Sequence, residues 1–153
     1  MVDFHKSSNF ARLHIMGRIL AIDYGQKRVG IAVTDELQII ANGLTTVKSH
    51  ELLSFLTKYI AEENVTCIVV GKPMQMDYTA SESEKFITPF LKSLRKLFPN
   101  IPVERIDERF TSKMALQTMI DSGINKKSRR NKELVDTISA TIILQTYMET
   151  KIN

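Results

Sequence analysis

Between Arg18 and Val47, three apolar runs follow one another with only a few polar residues between them, which leaves no room for an intervening helix. Arg18-Ile-Leu-Ala-Ile-Asp23 is nearly continuous in apolar residues and ends at Tyr24-Gly25, the pattern of a strand buried on both faces. Arg28 to Thr34 (RVGIAVT) reads as a second strand. Ile39 to Val47 reads as a third, reached through the polar Asp35-Glu36 turn. Connections this short join antiparallel neighbours, so the chain opens with a meander.

The periodicity then changes. Ser49 is placed to cap a helix from His50 to about Glu63, where Leu52, Leu53, Leu56 and Ile60 recur at helical spacing. Cys67 to Val70 is a short apolar strand ending at Gly71-Lys72-Pro73, since proline cannot continue the ladder. Thr79 with Glu82, and Ser81 with Glu84, have capping-box spacing and predict a helix running to about Phe98. Val103 to Ile106 is the next strand, followed by Asp107-Glu108-Arg109. Thr111 predicts a cap for a helix to about Ser122, closed by Gly123, and Asn131 a cap for a last helix to about Met148. A meander followed by helix–strand alternation predicts an α/β domain: a mixed five-stranded sheet with helices on both faces. A chain of 153 residues can bury one sizeable core, so a single domain is expected from residue 16 onward.

Charge is unevenly distributed. The net charge is +4, but Lys126, Lys127, Arg129, Arg130 and Lys132 fall within seven residues, so the rest of the chain is close to neutral. Such a cluster suits a phosphate backbone, and equally a solvated loop. Cys67 is the only cysteine, which excludes an intramolecular disulfide and fits a small core residue in a reducing cytosol. His5, His14 and His50 have no zinc-ligand spacing. No apolar run approaches the roughly 20 residues needed to span a bilayer. Residues 1–15 have mixed polarity and do not resemble a secretory signal; they are expected to be a disordered or loosely attached extension of a cytoplasmic protein.

Ligands of open α/β sheets bind at the carboxyl ends of parallel strands, which draws attention to Asp23 and to Asp107-Glu108. A carboxylate on a doubly buried strand is costly unless a cation or hydrogen bonds compensate it. Asp23 fits that description, and equally a turn-opening aspartate bonded to the Gly25 amide. Asp136 shares a helix face with Ser139, Ala140, Ile143 and Tyr147, whose small and apolar side chains would bring the helix close to the sheet. An acid in the first turn of a helix is also favoured by the dipole alone. Three carboxylates from separated segments form the ligand set that Mg²⁺ or Mn²⁺ requires, and two such ions about 4 Å apart would support in-line phosphodiester hydrolysis.

Met16 to Ala32 (MGRILAIDYGQKRVGIA), together with Gly71-Lys72-Pro73, Asp107-Glu108-Arg109 and Val135-Asp136, resembles the YqgF family, first described as Holliday-junction resolvases and now regarded as pre-16S rRNA nucleases. The resemblance covers about residues 16 to 150 and rests on several motifs in order. It implies a ribonuclease H-like fold and a metal-dependent endonuclease maturing the 5′ end of 16S rRNA in the bacterial cytoplasm. The implied partners are precursor rRNA, with branched DNA as the alternative, and ribosomal particles. By motif, Asp23, Glu108 and Asp136 take the places of the acidic metal site. Strand alternation lets only one of Asp107 and Glu108 face it, and Glu108 is taken as that residue. Arg28 and Arg109 match the motif arginines and could hold phosphate bidentately, or pair with neighbouring acids. The family usually has a glycine near Tyr78 or Thr79, and a second threonine where Ser112 stands. The missing glycine bears on the loop's conformation.

Two other readings compete. Asp23 to Gly30 (DYGQKRVG) resembles the first phosphate loop of actin-like and sugar-kinase ATPases, which share the same core but close a second domain over ATP. A non-catalytic RNA-binding or ribosome-assembly module could use the basic cluster without the acids.

Overall fold

The computed structural model describes residues 16–75, 82–108, 117, 121 and 131–152. Its sheet contains β1 (Arg18–Tyr24), β2 (Arg28–Thr34), β3 (Ala41–Lys48), β4 (Val65–Lys72) and β5 (Val103–Asp107), in the order β3-β2-β1-β4-β5. β1–β2 and β2–β3 pair antiparallel, and β1–β4 and β4–β5 pair parallel. The meander and the α/β half expected from sequence thus meet at β1. The described helices are α1 (Leu52–Glu62), α2 (Glu84–Leu97) and α3 (Lys132–Ile152).

Alternation along the strands divides the interior in two. Leu20 and Ile22 of β1, Val29, Ile31 and Val33 of β2, and Ile68 and Val70 of β4 pack with Leu52, Leu56, Ile87, Phe90, Leu91 and Leu94 of α1 and α2. The intervening residues Ile19, Ala21, Ala32 and Val69 pack against Ala140, Ile143, Leu144 and Tyr147 of α3. The sheet therefore carries helices on both faces. Asp23, in phase with Ile19 and Ala21, belongs to the α3 face.

Several boundaries differ from the sequence reading. β3 begins at Ala41 rather than Ile39, because the amides of Ile39 and Ile40 both donate to Asp35 Oδ1 at 2.8 Å and Gln38 takes a left-handed φ of 58°. Ser49 does not cap a helix: its hydroxyl donates to the Gln26 carbonyl, and a 3-10 turn over Ser49–Glu51 precedes α1. α2 begins at Glu84, with Ser83 at its N-cap and no side-chain cap bond. The Glu84 carboxylate is held by Arg105, whose Nη1 and Nη2 donate at 2.6 and 3.0 Å. Asn131 does cap α3, its Oδ1 accepting from the Glu133 and Leu134 amides at 3.1 and 3.4 Å, and the helix extends beyond Met148. Residues 1–15, the caps at Thr79 and Ser81, and the departures from the family pattern at Tyr78, Thr79, Thr111 and Ser112 lie outside the described residues. Of the helix expected after Thr111, only Gln117 and Asp121 are described; both are helical, and Gln117 donates to Asp121 at 2.8 Å.

The seating of α3 depends on two strand glycines as well as on the small residues of the helix. A methyl group at Gly30 would overlap the backbone carbonyl of Asp136, and one at Gly43 would overlap the Thr137 side chain. A register shift between Ile31 and Ala32 in the β2–β3 ladder pairs Gly43 with Ala32 and turns it toward the helix. Thr46 secures the contact, donating to the Glu133 carbonyl at 2.7 Å and lying 2.7 Å from the Thr137 hydroxyl. Gly30→Ala should therefore force two backbones apart and destabilise the protein by roughly 2–3 kcal/mol, an overpacking cost. In thermal melts that corresponds to a fall of roughly 5–10 °C. Gly43→Ala meets a side chain rather than backbone and should cost less; equal melting temperatures for Gly30→Ala and the unsubstituted protein would refute the contact.

Candidate active site

The carboxyl ends of β1, β4 and β5 lie side by side, and acids project there from both outer strands. The last β1–β4 pair is Ile22–Val70, so Asp23 stands one step further, level with Gly71. On the other side of β4, Gly71 pairs with Ile106 and Lys72 with Asp107. The Glu108 amide donates to the Lys72 carbonyl at 3.0 Å, which carries the ladder one residue past β5. Ile106 packs with the α3-side cluster and Val103 with the opposite one, so alternation directs Glu108 toward α3 and Asp107 away from it.

Asp23 and Glu108 meet across the surface of β4, joined by a side-chain hydrogen bond. Two carboxyl groups can share such a bond only if one carries a proton. Burial is the main reason it does. It raises the pKa of both groups, with the Asp136 charge adding to the rise at Asp23 and the Asp23 charge and shared bond adding at Glu108. Arg105 opposes the rise at Glu108, and the net result is a value pushed up to about 9.

Asp136, in the first turns of α3, completes the acidic surface electrostatically but has a different partner. Arg28 Nε donates to its Oδ2 at 2.8 Å. Arg28 is thus paired with an acid in this structure, and that acid is Asp136. Among the described residues, no group of three His, Cys, Asp or Glu side chains is disposed to hold a metal ion as it stands. Two of the expected acids are in contact, and the third is turned to an arginine. Arg109 and the cluster Lys126, Lys127, Arg129, Arg130 lie outside the described residues.

Sequence reasoning missed Arg105. On β5 it faces away from α3, grips Glu84 with both Nη atoms, and donates to the Val70 and Gly71 carbonyls at 3.1 and 3.0 Å. It thereby ties the start of α2 to the ends of β4 and β5, beneath the carboxylates. Its hydrogen bonds hold Glu84 below its ordinary pKa. Its partners lie 21 to 35 residues away, so no local pattern announces it; the only signal is a cation inside a short strand. Cys67 lies away from the acids, its Sγ 3.6 Å from the Tyr147 hydroxyl, and burial pushes the thiol up, as befits a core position.

A family described as RuvX, Holliday junction resolvase, matches residues 17–150. The chain belongs to this family. It is the family that the sequence resemblance reached under the name YqgF. Relatives extend the match almost end to end: a Bacteroides thetaiotaomicron protein named "Putative pre-16S rRNA nuclease" is 62% identical over 136 residues, covering 89% of this chain and 99% of that one. A Flavobacterium johnsoniae protein of the same name is 57% identical over 136 residues, with the same coverage. Among solved structures, T. thermophilus RuvC in complex with Holliday junction substrate aligns with a TM-score of 0.56 at 16% identity, covering 90% of this chain and 96% of that one. The fowlpox virus Holliday junction resolvase aligns with a TM-score of 0.55 at 19% identity, covering 87% and 99%. At those identities the likeness concerns the fold, and it bears out the ribonuclease H-like architecture expected from sequence. Family membership also displaces the ATPase reading of Asp23 to Gly30.

The shared proton has a consequence for stability. In the unfolded chain Glu108 ionises near its ordinary value of 4.5, whereas in the folded chain it keeps its proton up to about 9. Between those limits the folded state binds more protons, so stability falls as pH rises. In a chelator, the melting temperature should decline from pH 5 to pH 9 more steeply than in Glu108→Gln, whose amide stays neutral throughout. Parallel curves for the two proteins would show that Glu108 is ionised in the fold.

Proposed function

We propose that this protein is a metal-dependent endonuclease hydrolysing nucleic-acid phosphodiesters, with Asp23, Glu108 and Asp136 as its acidic residues and 5′-end maturation of pre-16S rRNA in the bacterial cytoplasm as its task. The observation that carries the reading is the Asp23–Glu108 carboxyl pair, partly buried at parallel strand ends in a chain of this family. Buried carboxylates in contact oppose their own ionisation, and a divalent cation is the group that relieves both charges at once. Their donor chemistry fits a hard, oxygen-seeking ion such as Mg²⁺ or Mn²⁺. When bound, such an ion supplies Lewis acidity for water activation and neutralises charge on the phosphate.

The rest of the chemistry belongs to the chain. Asp23 and Glu108 would present oxygens once they give up the proton they share. Asp136 would join them by exchanging its Arg28 partner. Arg28, released from Asp136, and Arg109 would each hold a phosphate oxygen. Lys126, Lys127, Arg129 and Arg130 immediately precede the helix carrying Asp136, a position suited to gripping the substrate backbone. No nucleophilic serine or cysteine is needed. Precursor rRNA is favoured by the names of the relatives, and ribosomal particles would then be the setting. Branched DNA is the second reading, and the family's own description favours it. No helix among the described residues is long and apolar enough to cross a membrane, which suits a cytoplasmic task.

Cleavage of a pre-16S rRNA 5′-leader substrate and of a four-way DNA junction, each with Mg²⁺, with Mn²⁺ and with excess chelator, tests the reading. Asp23→Asn, Glu108→Gln and Asp136→Asn should each reduce turnover at least about a hundredfold, while Asp107→Asn should have a much smaller effect. Full activity in chelator would refute metal dependence. Binding without cleavage of either substrate by the unsubstituted protein would instead point to an RNA-binding assembly factor. Replacing Lys127, Arg129 and Arg130 together with alanine should weaken binding and lower its salt slope by a little under one unit for each lost phosphate contact, with turnover at saturation nearly retained. An unchanged salt dependence would mark the cluster as a solvated loop.

A further inference from the structure

We infer that Gly71 is a positioning residue whose missing side chain is the passage through which Glu108 reaches Asp23. The inference rests on the proposed metal site and concerns how that site is assembled. β1 and β5 are not neighbours, because β4 lies between them. With strands about 4.8 Å apart, residues on β1 and β5 are separated by about 10 Å, and a carboxylate pair can close only over the surface of β4. The β4 residue at that height, on that face, is Gly71, level with Asp23 and two residues short of the level of Glu108. The Glu108 carboxylate lies over it: a methyl group at Gly71 would overlap Oε1, come within 2.6 Å of Cδ, and approach Ile143 Cδ1 at 2.8 Å.

Any side chain at position 71 would therefore stand between the two acids. The geometry also explains the choice of acid. Glu108 spans the wider gap with its additional methylene, while Asp23 meets it from the near side. Arg105 holds the Gly71 carbonyl at 3.0 Å from the opposite face, so the backbone cannot easily retreat to accommodate a methyl group. The overlapping atoms of Glu108 are the far end of a flexible side chain. Gly71→Ala is accordingly expected to leave the fold in place and swing the carboxylate away from Asp23.

Calorimetric titration with Mn²⁺ in the absence of nucleic acid tests this, with thermal melts in chelator and steady-state cleavage alongside. Gly71→Ala should lower Mn²⁺ affinity at least about tenfold, the effect typical of losing a residue that orients a ligand. It should lower kcat with KM for the nucleic acid little changed. In a Glu108→Ala background the same substitution should no longer alter Mn²⁺ affinity and should lower the melting temperature clearly less, because the main overlap is gone and only the approach to Ile143 remains. A folded Gly71→Ala protein with unchanged Mn²⁺ affinity would overturn the inference. So would a stability loss undiminished in the Glu108→Ala background, since the overlap with Glu108 would then contribute nothing. If the unsubstituted protein binds no Mn²⁺, the metal reading of the site fails, while the melting-temperature comparison across the two backgrounds still decides whether Gly71 accommodates Glu108.

Discussion

The contact between the backbone of α3 at Asp136 and that of β2 at Gly30 governs the α3 face of the sheet. It is a contact of main chain on main chain, and it leaves the helix almost no latitude. Because the helix is seated at its amino-terminal end, Asp136 stands within 2.8 Å of Arg28, two residues before Gly30 on the same strand. Gly43 and Thr46 extend the seat to the edge strand. Further along the helix, Ala140, Ile143, Leu144 and Tyr147 close the rest of that face. The placement of the third acid is thus a by-product of how the helix docks.

A second constraint opposes the first. Folding brings Asp23 and Glu108 into a setting where neither ionises readily, with Asp136 adding a charge nearby. The fold tolerates this with a shared proton and an arginine pair, both of which occupy groups that a ligand would otherwise engage. Arg105 has the complementary role on the opposite face: a partly buried cation satisfied by a carboxylate and two carbonyls, tying the strand ends together and drawing Glu108 back toward ionisation. The strain of the site is concentrated at the ends of three strands, while the larger core lies on the other side of the sheet. Such segregation of stability and local conflict is common where a protein keeps charges buried.

The strands and their succession along the chain were legible because each apolar run in β1, β2 and β4 is buried on both faces, and burial of that kind writes itself into composition. The Asn131 cap was legible for the same reason: its chemistry is local, within three residues. Ser49 looked like a cap until the turn after β1 offered it the Gln26 carbonyl. That error is a local rule overruled by a partner distant in sequence. The two acids facing each other could be named from strand ends and motif. What could not be read was the empty space between them, because the role of Gly71 depends on which strand lies between β1 and β5.

Because strand residues alternate between two separate interiors, β1 contributes Leu20 and Ile22 to one and Ile19 and Ala21, on the side of Asp23, to the other. Changes around the acids therefore fall on a surface that shares strands, but few side chains, with the larger cluster. A lineage could alter which nucleic acid is admitted, by drift in the segments around the strand ends, without rebuilding the part of the molecule that makes it fold. The same fold is thus compatible with widely different sequences, as the 16% and 19% identities of its structural neighbours illustrate.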